Sequence, residues 1–345
     1  MAESHSKSSA QKPSGRGHAL AILGLALMVL AALVVFVIAP KLTQLPGDFS
    51  STVDYEGESR QLDPATLTLG DPVDVTATRE VEVTETDGTT AIIASTSTAK
   101  LPSGENTTEK KFAVGRTDYE QIEGVDGVDD QKGGMVISHV RRPSTDAFTV
   151  YDATTDSAQL VEYVKTETIG GREAYYFEGQ TVAPVKAEGT LEALRESVGK
   201  SMKTDGTVLP AATVAGFVAD PPEGLDFDPA ELAEALAETG DEVPAKYIST
   251  NTTKVWIDTE MGSPLQTGQE QTISLYAGLD GDIDYPLLDL NSLELMSDEE
   301  AVERLADTAG TNAGLIKLAE VYLPLGIAAI GLLLLTLGLL RSRRG

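Results

Sequence analysis

His139 is the first side chain that could carry chemistry, because it is the one histidine away from the chain ends. His5 lies close to the amino end and His18 borders a long apolar run. The alternation of residues 136–140 predicts a strand, in which Ser138 and His139 point to opposite faces. A nucleophile and its base must lie within hydrogen-bond reach of each other. We therefore expect His139 to be structural, and we expect no catalytic residue.

The best metal candidate is the stretch Asp280-Gly281-Asp282-Ile283-Asp284. Carboxylates at positions i, i+2 and i+4 match the start of a calcium-binding loop. Such a loop has glycine at its sixth position and glutamate at its twelfth, whereas this chain has Tyr285 and Asn291 there. We interpret the stretch as an acidic surface turn, with calcium binding as the alternative, and we expect no metal site and no cofactor.

Motifs of several large enzyme classes are absent from the sequence. The chain contains no G-x-S-x-G, no H-E-x-x-H and no G-x-x-x-x-G-K-[ST] pattern. Its 54 acidic residues are so numerous that choosing two as a glycosidase pair would be arbitrary. We therefore expect a protein that is not an enzyme.

The charge of the chain is strongly negative and unevenly distributed. The formal net charge is −28, and the middle of the chain is more acidic still, since six of the 26 basic residues lie near its ends. This charge argues against nucleic acid as a partner. The absence of cysteine excludes disulfide bonds and thiolate metal sites.

Two long apolar runs predict two transmembrane helices. Ala19 to Ala39 is a run of 21 residues and Val321 to Leu340 is a run of 20. At about 1.5 Å per residue, each is long enough to cross the hydrocarbon core of about 30 Å. A signal peptide has a shorter apolar region, and Pro40 is a poor residue after a cleavage site, so we expect the first helix to stay as an anchor.

The basic residues at both ends predict the orientation. They are Lys7, Lys12 and Arg16 before the first run, and Arg341, Arg343 and Arg344 after the second. The positive-inside rule then places both termini in the cytoplasm and the central region outside the cell membrane. The predicted divisions are a disordered tail (1–18), a transmembrane helix (19–39), an extracytoplasmic domain (40–320), a second helix (321–340) and a basic tail (341–345).

The central region has the pattern of a β-rich domain. Residues 73–84 alternate, Asp87-Gly88 marks a tight turn and residues 89–98 are rich in β-branched side chains, which together predict a hairpin. Helices are fewer; one is predicted after Asp228-Pro229, and another follows Ser297-Asp298 and should end at Gly310. The predicted fold class is α+β, a mostly antiparallel β domain with a few helices, flanked by two transmembrane α-helices.

Several short motifs resemble the actinobacterial family labelled porin PorA, in the family's order and topology. They are Pro40-Lys41-Leu42, Tyr55-Glu56-Gly57, Ile169-Gly170-Gly171, Tyr175-Tyr176-Phe177-Glu178-Gly179 and Val255-Trp256-Ile257-Asp258 with Gly262. The resemblance implies a role in the cell envelope, where family members are linked to lipoglycan maturation in mycolic-acid bacteria.

Two functions remain open from the sequence. The first is a non-enzymatic scaffold or carrier for lipid or lipoglycan in envelope assembly. The second is a channel, as the family label implies, which would require several copies because two helices cannot enclose a pore. The expected partners are the lipid bilayer and envelope lipids or lipoglycan, and the oligomeric state is left open.

Overall fold

The computed structural model describes residues 15–63, 65–101, 104–219, 228–279 and 283–343. The chain divides into two compact units. The membrane unit comprises the residues up to Gln44 and those from Gly310 onward, and the sheet unit comprises Leu45–Ala309.

The described elements follow one another from an amino-terminal helix to a carboxyl-terminal helix. The helices are α1 (Gly15–Leu33), α2 (Ala39–Leu42), α3 (Glu188–Met202), α4 (Ala211–Ala219), α5 (Pro229–Ala237), α6 (Glu299–Lys317) and α7 (Leu323–Arg343), with π-helical turns at Val34–Ile38 and Leu318–Tyr322. The strands are β1 (Ser50–Asp63), β2 (Thr68–Leu69), β3 (Val73–Asp87), β4 (Thr90–Leu101), β5 (Gly104–Gly115), β6 (Phe148–Asp152), β7 (Ser157–Ile169), β8 (Arg172–Pro184), β9 (Val208–Pro210), β10 (Glu242–Asp258), β11 (Pro264–Leu279) and β12 (Ile283–Ser297).

One large antiparallel sheet organises the sheet unit. Its order is β5-β4-β3-β1-β12-β11-β10-β8-β7-β6, with β2 and β9 as short additions to β1 and β10. Most neighbours in this order are joined by hairpins, but β1 pairs with β12 from the far end of the unit. The predicted fold class is confirmed: a mostly antiparallel sheet with a few helices, and an apolar helix near each end of the chain that could span a membrane.

Two glycines allow the sheet to bend sharply. Gly57 of β1 and Gly179 of β8 lie in the same cross-strand row, through Leu295, Gln269 and Thr253. A Cβ added to Gly57 would lie 1.8 Å from the Glu294 carbonyl oxygen, and one added to Gly179 would lie 2.0 Å from that of Leu160. The neighbouring backbone approaches too closely for any side chain, as it does at the corners of curled sheets.

The first and last strands of the order meet across the segment that connects them. This connecting segment, residues 116–147, is bonded to β5 through Ile122 N–H to Ala113 and to β6 through Met135 N–H to Thr149. The rings of Phe112 in β5 and Tyr151 in β6 also meet edge to face, with centroids 5.4 Å apart. The sheet therefore curls until its two ends are closed by the connecting segment.

Apolar side chains pack on both faces of the curled sheet. On the inner face, Phe177, Val255 and Ile257 contact Met135 and Phe148 around the connecting segment. On the outer face, Trp256 and Tyr176 pack with Ala306 and Ala309 of α6. At one end of the sheet, α3, α4 and α5 cover a third cluster that includes Leu209, Leu232, Leu275 and Leu287.

The membrane unit is a pair of helices in close backbone contact. A Cβ added to Gly24 of α1 would lie 2.5 Å from the carbonyl oxygen of Gly331 in α7, so only glycine fits at this crossing. Small residues at a crossing allow membrane helices to pack closely. The outward faces carry exposed leucine, isoleucine and valine side chains, as expected for helices that contact lipid.

Candidate functional site

The acidic stretch 280–284 lies largely outside the described residues. Asp280, Gly281 and Asp282 are not described, and of Asp284 only the backbone in β12 is. The stretch connects β11 to β12, because Leu279 pairs with Ile283. Among the described residues, no group of three His, Cys, Asp or Glu side chains could hold a metal ion.

His139 lies in the connecting segment, so the predicted strand at residues 136–140 is wrong. Of residues 135–140, Met135 alone makes a β-bridge, to Val150, while the N–H of His139 donates to the carbonyl of Gly262. Arg142 adopts a left-handed conformation with φ 53°, just before Pro143. The left-handed backbone at Arg142 interrupts an extended chain. Pro143 prevents strand pairing at the next residue, because proline lacks the N–H that the pairing needs.

The imidazole of His139 is a packing group. Its ring meets Phe148 edge to face at 5.3 Å, and its Nδ1 is buried without a hydrogen-bond partner among the described residues. Desolvation by this burial lowers the pKa of His139 below its usual range. Ser138 Oγ donates to the Gly262 carbonyl at 2.9 Å instead of to an imidazole nitrogen. Ser138 and His139 therefore do not bond to each other as a nucleophile and base would.

A buried polar network occupies the inner face of the sheet. The amide of Gln159 donates to the carbonyls of Gly179 at 2.6 Å and Asn251 at 3.0 Å, and its oxygen accepts from Thr253 at 2.7 Å. Gln159 is 1% exposed and Asn251 is 2% exposed. Buried polar groups of this kind hold a structure together only when their bonds are made. This network ties together β7, β8 and β10, which are neighbours in the sheet, along its inner face.

The connecting segment and the β6–β7 turn also fill the interior. Arg79 of β3 donates to the carbonyl of Val136 at 2.7 Å and to Ser95 at 3.2 Å. On the opposite side, Gln271 of β11 donates to Thr154 at 3.1 Å, in the β6–β7 turn. The inner face of the sheet is therefore bonded to chain segments that lie inside the curl.

The outer face of the sheet carries a row of directly opposed carboxylates. Asp74 pairs with Glu58, Glu58 with Glu294 and Glu294 with Glu270, on four adjacent strands. Like charges in such positions are unfavourable, and Lys254 forms an ion pair with Glu270 at one end of the row. An open groove of about 310 Å³ lies here, beside Arg60 and Leu69. A wall this charged cannot face lipid in the way a membrane barrel does.

A buried ion pair fixes the turn between β10 and β11. Arg172 donates to Asp258 at 2.5 Å and 3.1 Å, and the same carboxylate accepts the backbone N–H groups of Glu260 and Met261. Asp258 is fully buried. The hydrogen-bonded carboxylate raises the pKa of Arg172 above its usual range, so the guanidinium stays charged. The role of the ion pair is to hold the turn, since the carboxylate accepts two N–H groups of the turn itself and is fixed by Arg172 of the neighbouring strand β8.

Sequence reasoning missed the polar network and the carboxylate row. Gln159 and Asn251 lie 92 residues apart, and a polar residue on a strand is usually solvent-exposed. The only signal in the sequence is that both residues occupy inward-facing positions of strands. Which positions face inward can be told only when the order of the strands in the sheet is known. The carboxylate row depends on the same information, because its four members come from four strands.

Comparisons with solved structures give only weak likenesses. A mutant porin of Rh. blastica aligns at 7% identity over 72% of this chain and 100% of the porin, with a TM-score of 0.19. The peroxisomal multifunctional enzyme type 2 of Drosophila melanogaster aligns at 12% identity over 81% of this chain and 46% of the enzyme, with a TM-score of 0.13. Likenesses of this size carry no argument about fold or function. No curated protein sequence matches the chain.

The family comparison covers nearly the whole chain. The model of the family described as Porin PorA matches residues 17–340. This range includes both apolar helices and the entire sheet unit, which indicates a membrane protein. The chain belongs to the Porin PorA family.

Proposed function

We propose that this protein is a non-enzymatic, membrane-anchored scaffold for assembly of the cell envelope. The filled interior of the curled sheet carries the proposal. A carrier that passes lipid through the sheet unit needs an apolar cavity, since acyl chains gain about 0.8 kcal/mol per buried CH₂ group. Here Arg79 and Gln271 of the inner face are bonded to chain segments inside the curl, at Val136 and Thr154.

The scaffold acts outside the cytoplasm in this proposal. Both termini lie inside the cell, because the basic residues are concentrated beyond the outer ends of the two apolar helices. The acidic outer face of the sheet keeps the unit soluble and away from anionic lipid. Envelope lipoglycan is the proposed partner class, on the strength of the family resemblance.

Engineered cysteines test whether the interior must open for function. Met135 and Val150 are bridge partners that join the connecting segment to β6, and the chain has no cysteine of its own. Neighbouring backbone positions of this kind suit a disulfide bond. The double variant Met135→Cys/Val150→Cys is expressed in a strain that lacks the protein and is oxidised, and its cell-envelope lipoglycan profile is measured.

A scaffold should restore the profile with the disulfide formed, as each single cysteine variant does. If oxidation abolishes function in the double variant alone, and reduction returns it, then the interior has to open. That result would replace the scaffold by a carrier or a pore that works through the sheet unit.

The family description favours a channel as the second candidate. The backbones of Gly24 and Gly331 are in contact, which leaves no space for water between the two helices at that level. A pore would therefore have to form between several copies. Stepwise ion conductance by the purified full-length protein in planar bilayers would favour the channel over the scaffold.

A further inference from the structure

Strand β7 has an open edge over the second half of its length. On one side, β8 pairs with β7 through residues 162–169, with a bulge at Val164. On the other side, β6 covers β7 only at residues 157–161. In the part of the chain that the structure describes, no strand pairs with that side of residues 162–169. Residues 162–166 are all exposed, as expected at the open edge of a sheet.

The turn between β7 and β8 determines which backbone groups point to this open edge. Ile169 pairs with Arg172, and the two glycines between them have φ values of 54° and 77°, which suit a two-residue hairpin turn. The pair that closes such a turn exchanges backbone hydrogen bonds, and bonded and non-bonded pairs then alternate along the strand. Thr168 and Thr166 therefore direct their N–H and C=O groups away from β8. Backbone groups in such a row are a template for a further strand.

Two opposite charges flank Thr166 on the outer face of this edge. The ammonium of Lys165 forms an ion pair with the carboxylate of Glu167. The same carboxylate accepts the indole N–H of Trp256 at 2.7 Å. These bonds hold both charged groups in place beside the open edge, where a neighbouring strand would meet them.

The order of these charges makes the edge complementary to itself. If two copies pair antiparallel with Thr166 opposite Thr166, Lys165 of each copy lies opposite Glu167 of the other. These are non-hydrogen-bonded pairs, whose Cα atoms lie only about 4.5 Å apart. Sliding one copy by two residues in either direction places Lys165 opposite Lys165 or Glu167 opposite Glu167, and like charges in such positions are unfavourable. The charges therefore favour the register centred on Thr166.

We propose that two copies of this protein associate through the open edge of β7, with residues 164–168 paired antiparallel about a two-fold axis at Thr166. Each copy then covers the edge of the other, so the assembly closes at two copies. The paired segment is short, so the dimer is weak and forms in a concentration-dependent way. This association goes beyond the scaffold role and does not depend on it.

A cysteine at the two-fold axis tests the pairing. In Thr166→Cys the two Cα atoms would lie about 5.5 Å apart, which is within the range of a disulfide bond. The chain has no cysteine of its own, so any disulfide joins two copies.

The matched control is Thr107→Cys, because Thr107 is also an exposed threonine of a strand, in β5. Both full-length variants are purified in detergent, oxidised at the same concentration and separated by non-reducing electrophoresis. Thr166→Cys should give about tenfold more covalent dimer than Thr107→Cys, since its two sulfur atoms are held at bonding distance. Equal amounts of dimer from the two variants would overturn the proposal.

Charge reversal tests the register without a covalent bond. Lys165→Glu leaves only carboxylates at the two flanking positions, and Glu167→Lys leaves only ammonium groups. Each variant alone should dimerise about tenfold more weakly than the unmodified protein in sedimentation velocity, because like charges then face each other. An equimolar mixture of the two variants should associate again, because every facing pair in the mixed dimer is of opposite charge.

Recovery in the mixture requires that both variants are folded, so it separates the loss of pairing from the loss of structure. A mixture that associates no better than either variant alone would refute the proposed register. Single variants that dimerise as strongly as the unmodified protein would refute it as well.

Discussion

Trp256 is the only tryptophan in the chain, and its surroundings show how both faces of β10 become buried. Its ring stacks on Tyr176 at 4.5 Å, and its Nε1 donates to Glu167 at 2.7 Å. The adjacent Ile257 points to the other face and is fully buried. Both faces of β10 are therefore buried at this point of the sheet.

Replacing Trp256 by alanine should destabilise the protein by about 3–5 kcal/mol, because a large buried ring is lost and a cavity remains. Trp256→Phe keeps an aromatic ring but loses the bond to Glu167, which should cost about 1–2 kcal/mol. Denaturant unfolding followed by circular dichroism measures both. Val164→Ala is the control, because Val164 is 52% exposed in β7 and should change stability by less than about 0.5 kcal/mol. An alanine variant as stable as the control would show that Trp256 is not a core residue.

Because the imidazole of His139 is buried, we expect the folded protein to lose stability in mildly acidic solution. Burial lowers its pKa in the folded state below the ordinary value of 6.5. The unfolded chain therefore binds a proton first as the pH falls below about 6.5, so the contribution of His139 to stability is present above that pH and is lost below it. His139→Gln should show a smaller decrease in melting temperature between pH 7.5 and pH 5.5 than the unmodified protein. An equal decrease would mean that other groups cause the dependence.

The glycines of the sequence motifs show what can be found without a structure and what cannot. Gly57 and Gly179 both belong to the short motifs that resemble the family, so the sequence alone marks these two positions as notable. Their role depends on a neighbouring carbonyl within about 2 Å of the added Cβ, from Glu294 and Leu160. Glu294 is more than 200 residues away from Gly57 in the sequence, so no local pattern could reveal this contact.

At the scale of single elements, local patterns predict turns and caps well. The predicted hairpin is confirmed as β3 and β4, which turn at Gly88 with φ 56°. The predicted cap of α5 is also confirmed, since the Asp228 side chain accepts the N–H of Ala230. In both cases the determining bonds join residues close in sequence.

Two element predictions are wrong, and each has a physical cause. Residues 136–140 alternate like a strand but are held by tertiary bonds, among them the bond from His139 to Gly262. The helix that starts at Glu299 does not end at Gly310, and the helical course continues to Arg343. A glycine inside a helix costs only about 1 kcal/mol, which the packing of a long helix readily outweighs.

Substitution of the corner glycine should disrupt the pairing of β1 with β12. In Gly57→Ala the new methyl group would meet the Glu294 carbonyl at 1.8 Å, so the strands must separate. We expect a loss of more than about 2 kcal/mol, as for other overpacked sites. Gly189→Ala in α3 is the matched control, because nothing lies within 4 Å of its added Cβ. It should be neutral or stabilising by up to about 1 kcal/mol. Similar melting temperatures for the two variants would contradict the close approach at the corner.

At the scale of the whole molecule, the class of the fold is predictable but the strand order is not. Length, apolar runs and alternating segments indicate two membrane helices and a β-rich region. The pairing of β1 with β12 joins residues more than 200 positions apart, and loop closure over such a length leaves no local signature. The filled interior follows from that order, which is why the sequence left carrier and scaffold equally open.

The orientation of the chain in the membrane can be tested directly, because the sequence contains no cysteine. The basic residues before α1 and at the end of α7 should keep both ends in the cytoplasm, because translocating them across the membrane is unfavourable. Thr107 lies on the exposed part of β5, so Thr107→Cys should react with a membrane-impermeant maleimide in intact cells. Ser6→Cys and Gly345→Cys should react only after the cells are lysed. Labelling of Gly345→Cys in intact cells would place the carboxyl end outside, and the two-span topology with both ends in the cytoplasm would then be wrong.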